Sequence, residues 1–300
     1  MTSDEADAPD GGPDGGPGGA GGPGGAGGPG GAGGRAAART PEFDTSVAHQ
    51  ARMYDYLLGG KDNYAADRAA TEAALRVYPE WGFTARANRA FLGRVVRFLA
   101  GEAGIRQFLD IGTGIPTAGN THQVAQAIAP QARVVYVDYD PVVLAHARAL
   151  LTSSDAGATA YIDSDLREVG AILEQASQLL DFTKPVAVTL VAILHALPDA
   201  DDPHGKVTRL MDAVPSGSYL ALSHLGRDFL PPETLRQMED LSRGNIQQQF
   251  VYRSRDQVAR FFAGLDLVEP GMVPIEDWRP EPGTAETGKS ALWGAVGRKR

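Results

Sequence analysis

The chain contains no cysteine. That absence removes disulfides, thiolate nucleophiles, thiolate metal sites and cysteine-ligated iron–sulfur clusters together. Positive charge is also scarce: 28 Lys and Arg face 37 Asp and Glu, for a net charge of -9. A surface that neutralises nucleic-acid phosphates needs a basic stripe, so no nucleic-acid partner is expected. No apolar run approaches the roughly 20 residues of a membrane span, and the first residues lack the charged-then-apolar order of a secretion signal. A cytoplasmic protein with no membrane partner is expected. From Gly11 to Gly34 nearly every residue is Gly, Pro or Ala, and none is aromatic or branched apolar. Ordering such a segment costs about 1–2 kcal/mol per residue in backbone entropy, with no apolar burial to offset it. Residues 1–40 are therefore expected to form a disordered, Gly/Pro-rich tail, and residues 41–300 the folded domain.

The periodicity of that domain changes partway along. Val47, Ala51, Tyr54 and Leu58 recur at helical spacing, with Thr45 or Ser46 to cap the start and Gly59-Gly60 to stop the run. A second helix is predicted over Ala65–Val77. A third carries Phe91, Val95, Phe98 and Leu99 on one face. From residue 105 onward, short apolar runs alternate with helical stretches. Gln107–Ile111, Val134–Val137, Ala158–Ile162, Val186–Ile193 and Tyr219–Ser223 read as strands. Thr121–Ala129, Pro141–Leu151, Leu166–Leu180 and Lys206–Val214 read as helices, as do two later stretches ending at Arg243 and Leu265. Strands without polar alternation are covered on both faces. Leu267–Val273 and Ala291–Val296 are expected to close the sheet as an antiparallel pair. The predicted fold is α/β: a doubly wound, mostly parallel, seven-stranded sheet (105–300) with an N-terminal helical cap (41–100).

The first strand leads into Asp110-Ile111-Gly112-Thr113-Gly114-Ile115-Pro116-Thr117 and then a helix. Glycines at this turn let the backbone approach a ligand at the mouth of the sheet. A dinucleotide site wants a third glycine where Thr117 stands. Asp110 would repel a pyrophosphate but suits a ligand bearing a sulfonium and an ammonium group. The loop thus favours S-adenosylmethionine over NAD. The second strand ends in Asp138-Tyr139-Asp140-Pro141, where Asp138 suits ribose hydroxyls and Asp140 a helix cap. After the third strand, Asp165 suits an adenine amino group, with helix capping as its alternative role. One carboxylate at each of three successive strand ends is a stronger signal than any of them singly.

Asp110-Ile111-Gly112-Thr113-Gly114, Asp138 and Asp165 together resemble the ordered motifs of class I S-adenosylmethionine methyltransferases. More distinctive are Ala48-His49-Gln50-Ala51-Arg52-Met53-Tyr54-Asp55-Tyr56-Leu57-Leu58-Gly59-Gly60-Lys61-Asp62-Asn63-Tyr64, Ala87-Asn88-Arg89-Ala90-Phe91-Leu92 and Trp278-Arg279-Pro280. These strings resemble a bacterial S-adenosyl methyltransferase family, formerly a domain of unknown function. The resemblance implies the fold and the cofactor S-adenosylmethionine. It places Gly112 and Gly114 near the methionine part, Asp138 at ribose and Asp165 at adenine. The chain departs from many such enzymes in carrying Pro116 where they have a further glycine.

Without cysteine, covalent cytosine chemistry is excluded. The fourth strand runs into Ile193-Leu194-His195-Ala196-Leu197-Pro198, lacking the Asn-Pro-Pro-Tyr pattern of amino-methylating DNA enzymes. A small-molecule acceptor is expected. His195, where the fourth strand meets its loop, is the candidate general base; its bland alternative is to shape the pocket by local hydrogen bonding. His224 is the second candidate. His49, His122, His146 and His204 are unclustered and are assigned neither a role nor a metal. Tyr56 and Asn63, in the polar turn of the prelude, are expected to line the pocket as part of a lid. The alternatives left open are an S-adenosylmethionine-binding protein without turnover and an NAD(P)-dependent oxidoreductase.

Overall fold

A computed structural model describes residues 44–150, 154–247, 249–281, 283 and 288–300. The expected tail lies outside these. Three helices come first: α1 (Gln50–Leu57), α2 (Ala65–Val77) and α3 (Trp81–Gly101). α1 is capped by His49, not by Thr45 or Ser46. The 21 residues of α3 turn Phe91, Val95, Val96 and Leu99 inward, all buried.

The sheet begins with β1 (Gln107–Ile111), followed by α4 (Thr121–Ile128), β2 (Arg133–Asp138), α5 (Pro141–Leu150) and β3 (Ala158–Asp163). Then come α6 (Val169–Ala176), β4 (Ala187–Val191), α7 (Pro203–Asp212), β5 (Tyr219–Leu225), α8 (Pro232–Asn245) and α9 (Arg255–Ala259). β6 (Leu265–Leu267), β7 (Val273–Pro274) and β8 (Leu292–Lys299) close the chain. The strand order is β3-β2-β1-β4-β5-β8-β6, with β7 also on β8. β1 to β5 are parallel, while β8 runs antiparallel to β5, β6 and β7. The described sheet thus has eight strands rather than seven. The expected strand Leu267–Val273 is interrupted at Pro270-Gly271, where Pro has no N–H to donate and Gly271 sits at φ +84°. Both flanking pieces pair with β8.

Both faces of the sheet are buried, as its unalternating strands require. Phe108, Val134 and Ala187 pack with the α3 face, whereas Leu109, Ile111, Val135 and Val188 pack with Ile172 of α6 and Leu210 of α7. Strand order reverses between β1 and β4, leaving a crevice at their C-terminal ends. β4 stops two residues short of the expected end. The reason is Ala192, whose φ of +57° turns the chain out of the sheet.

Candidate active site

Asp110 lies two residues after Phe108 on β1, hence on the same side as α3 and α4. Its carboxylate accepts the hydroxyls of Thr121 (2.7 Å) and Thr189 (2.6 Å). Burial nonetheless pushes it above the ordinary carboxylate range. The turn that follows needs its glycines. Gly112 has φ +77°, and a Cβ there would sit 2.6 Å from Ile193. Gly114 has φ +66°, with no described atom within 4 Å of a Cβ position. The Gly114 N–H donates to Asp138 Oδ2 (2.9 Å), while Asp138 Oδ1 accepts from Tyr139 N (2.8 Å) and Asp140 N (3.0 Å). Asp138 therefore braces the end of β2 against the β1 turn. Burial raises its pKa against those backbone donors.

Three adjoining cavities open at this edge of the sheet. The first, about 700 Å³, lies between the β1 turn and the inner faces of α1 and α3; Asp110, Gly112, Gly114, Asp138 and Arg89 are on its wall. The second, about 450 Å³, is lined mainly by apolar side chains, Met53, Leu57, Trp81, Leu225, Phe250 and Leu292 among them, together with His195. The third, about 340 Å³, is bounded by Val137, Asp138, Asp165, Leu166, Ile193 and Leu197. Asp138 belongs to the first and third. Gln50, Tyr54 and Ala192 belong to the first and second.

A hydrogen-bonded line fixes the wall between those two. Tyr54 Oη donates to Ala85 O (2.9 Å) and accepts from Asn88 Nδ2 (3.0 Å). Ser223 Oγ donates to Asn88 Oδ1 (2.6 Å) and accepts from Ala192 N (2.9 Å). Gln50 Nε2 donates to Ala192 O (2.7 Å) and stands 3.4 Å from His195 Nε2. Ala192 thus keeps a left-handed backbone because both sides of its peptide are held.

His195 lies in a short helical turn, Leu194–Ala196, and is buried. Burial, with Arg253 nearby, pushes its pKa down to about 3, so the ring is neutral at ordinary pH. Its Nδ1 and the Oε1 of Gln50 are buried with no hydrogen-bond partner among the described residues. The turn is anchored by Arg253, only 2% exposed, which donates to Leu194 O, Leu197 O and Asp199 Oδ1. Arg253 also donates to His224 Nε2 (2.7 Å), whose Nδ1 then donates to Leu225 O (2.8 Å). Both nitrogens of His224 are committed, and it is on the wall of none of the three cavities.

Sequence reasoning placed Tyr56 and Asn63 in the pocket, and the geometry takes them out. Tyr56 follows Tyr54 by two residues, a rotation of about 200° around α1. Since Tyr54 faces the cavities, Tyr56 faces away, and its hydroxyl donates to Glu72 Oε1 (3.1 Å). Asn63 donates to Asp55 Oδ2 (2.9 Å) and Gly60 O (3.1 Å), pinning the turn after α1. Asp165 is on the third cavity, though its oxygens also take the backbone N–H of Arg167 (2.7 Å) and that residue's guanidinium (2.9 Å).

Among the residues of the first cavity that the sequence reading did not single out are His49, Gln50, Asn88 and Arg89. The i,i+4 pair Gln50 and Tyr54 was the available signal for the inward face. His49, assigned no role, pairs with Asp140 (2.7 Å) while Asp140 caps α5 through Val142 N (2.7 Å). The 3.3 Å approach of Ala51 N to the same ring nitrogen is the weaker contact, because Nδ1 must give its proton to the nearer carboxylate.

The donor set of the first cavity fits S-adenosylmethionine. An amino-acid zwitterion needs both signs at one end, and the wall supplies the Asp110 carboxyl and the Arg89 guanidinium. The chain also matches, over residues 36–300, a family described as S-adenosyl methyltransferase. A solved DUF574-family protein from Streptomyces avermitilis is 46% identical, with 86% of this chain and 99% of that one covered at a TM-score of 0.82. A candidate methyltransferase from Thermobifida fusca is 41% identical, with 86% and 97% covered at 0.77. No match was found among curated proteins. Family, fold and site chemistry agree: the chain belongs to the S-adenosyl methyltransferase family and is an S-adenosylmethionine-dependent methyltransferase.

Proposed function

We propose that the acceptor of this methyltransferase is a small molecule held in the second cavity, with its reacting atom at the wall shared with the first. The observation that carries this reading is that Gln50, Tyr54 and Ala192 line both cavities, so an acceptor in one and the methyl donor in the other would meet at that wall. S-adenosylmethionine, when bound, supplies a methyl made electrophilic by a positively charged sulfur. On this reading Arg89 meets its carboxylate, and the bare backbone at Gly112 and Gly114 lies along the methionine part. Asp138, on both the first and third cavities, suits the ribose hydroxyls. Asp165, with apolar Val137 and Leu166 beside it, suits the adenine.

His195 is the group placed to receive a proton. A base with a conjugate acid near pH 3 cannot pull a proton from a free hydroxyl. An oxygen already bonding to the methyl carbon is a far stronger acid, so even a weakly basic imidazole can take its proton late in the transfer.

The test is to fill the second cavity alone. Ala85→Leu puts three extra carbons into its wall without touching the first. We expect affinity for S-adenosylhomocysteine, read by calorimetry, to stay within twofold. Label transfer from S-adenosylmethionine to the small-molecule fraction of a cell extract should fall at least tenfold. Undiminished transfer would refute the assignment of the acceptor to this cavity.

A further inference from the structure

We infer that the acceptor is an uncharged, planar, mainly apolar molecule carrying a hydroxyl, and that Gln50 and His195 recognise that hydroxyl. The inference rests on the placement of the acceptor in the second cavity and goes on to say what the acceptor is.

The first argument is charge. No Asp, Glu, Lys or Arg is among the residues lining the second cavity. A carboxylate, a phosphate or an alkylammonium would have to shed its water there without a partner, which costs several kcal/mol even after relaxation. An acceptor that is neutral near pH 7 bears no such cost. The second argument is shape. Trp81 and Phe250 contribute flat apolar faces, and Met53, Leu57, Leu225 and Leu292 complete the wall, an enclosure suited to an aromatic ring system.

The third argument locates the polar handle. Besides the indole N–H of Trp81, four side chains on this wall carry polar atoms: Gln50, Tyr54, Thr84 and His195. Tyr54 both donates and accepts, and Thr84 Oγ1 accepts from Ala291 N (3.2 Å). Gln50 Oε1 and His195 Nδ1 are the two that lack a partner among the described residues. Buried polar atoms are ordinarily satisfied, and where two unsatisfied ones belong to neighbouring residues on one cavity wall, a bound polar group can supply the partner. The two residues are neighbours, with Gln50 Nε2 3.4 Å from His195 Nε2, and Gln50 also lines the first cavity. The handle therefore belongs at the end of the second cavity nearest the methyl donor.

A hydroxyl serves these two atoms in either of two ways. Its hydrogen can go to Gln50 Oε1 while its oxygen accepts from a protonated Nδ1, or its hydrogen can go to a bare Nδ1. The second arrangement is the reactive one, because it points the proton at the imidazole; it requires the tautomer with its hydrogen on Nε2, so the Gln50 amide nitrogen, itself a donor, must move off its 3.4 Å approach. The oxygen then forms a C–O bond to the methyl carbon as the S–C bond breaks, with that electron pair left on sulfur and the hydroxyl proton taken by His195. The products are a methyl ether and S-adenosylhomocysteine.

The test is a binding panel on the full chain saturated with S-adenosylhomocysteine, using naphthol, naphthalene and hydroxynaphthoate, read by calorimetry and by the probes' fluorescence. Naphthol should bind at least tenfold tighter than naphthalene, since two buried polar groups stay unpaired without the hydroxyl. Hydroxynaphthoate, which adds a negative charge, should bind at least tenfold more weakly than naphthol. In Gln50→Leu and in His195→Phe the preference for naphthol over naphthalene should shrink to within threefold. Binding of hydroxynaphthoate as tight as that of naphthol overturns the inference, as does equal binding of naphthalene and naphthol or failure of all three to bind. If Ala85→Leu abolishes transfer to an extract acceptor while this panel fails, the acceptor class is wrong and its location stands. If Ala85→Leu leaves transfer intact, the location itself has failed.

Discussion

Gly112 combines two constraints that only glycine meets: a φ of +77° and an Ile193 side chain 2.6 Å from the position of a Cβ. Gly112→Ala should therefore cost roughly 2–3 kcal/mol, the sum of left-handed strain and overpacking. Denaturant unfolding reads the loss, and calorimetry should show weaker binding of S-adenosylhomocysteine, because Ile193 also lines the first and third cavities. At this scale the sequence revealed residue types better than directions. That Asp110, Asp138 and Asp165 stand on the cavity walls was legible because an acid at or near the C-terminal end of a strand has a fixed place in a parallel sheet. Tyr54 and Tyr56 have the same chemistry, and the choice between them depends on how α1 is rotated against the sheet, which is set by tertiary packing. Asp140 was readable as a cap, but its 2.7 Å pairing with His49 joins two elements far apart in the chain.

Among the elements, α3 does the most to join cap and sheet. Its Phe91 and Phe98 meet the fully buried Trp278 edge-on, at 5.6 and 5.9 Å between ring centroids. Arg94 donates to the carbonyls of Trp278 (2.8 Å) and Ile275 (2.7 Å), and the Arg279 guanidinium lies 4.2 Å from the Phe98 centroid. The distinctive Trp278-Arg279-Pro280 string thus clamps α3 through its buried Trp278, outside the lining of the three cavities. Trp278→Ala should cost about 3–5 kcal/mol of unfolding free energy, and denaturant titration of the variant beside the native chain checks it. The strands β1 to β5 were legible to within about two residues because burial on both faces leaves an unbroken apolar signature. The end of β4 was not. Alanine carries no mark of a left-handed backbone, and the bonds that hold Ala192 there come from α1 and β5.

Taken as a whole, the molecule buries neutral imidazoles, and these contribute a loss of stability in acid. His195 has an ordinary value of 6.5 and is pushed to about 3 by burial, with Arg253 adding to the effect. His224 is pushed well below 6.5 for the same first reason, with His195 and Arg253 contributing. Between the two values for His195, the unfolded chain binds a proton that the folded chain refuses. Their contribution to stability is therefore full above pH 6.5 and is lost as pH drops through the window toward 3, by up to about 1.4 kcal/mol per pH unit for each such group, while Asp110 and Asp138, raised by burial, act in the opposite sense. In His195→Phe the fall between pH 6.5 and 5 should be shallower by about one proton's worth. Unfolding free energies at three pH values, for both proteins, measure it; parallel curves would contradict the assignment. The doubly wound sheet and its helical cap were foreseeable from alternating patterns and the family strings, whereas this response comes from a desolvated interior assembled from segments far apart in the chain.

The wall shared by the first two cavities also separates two kinds of change. Gln50, Tyr54 and Ala192 are fixed by obligations to both sides, whereas Leu57, Trp81 and Phe250 touch only the second. On the proposed reading, substitutions among those three can redirect which compound is modified while the grip on the methyl donor is inherited intact. Divergence within a lineage would then be written on the far side of the chamber, leaving the near side as the common inheritance.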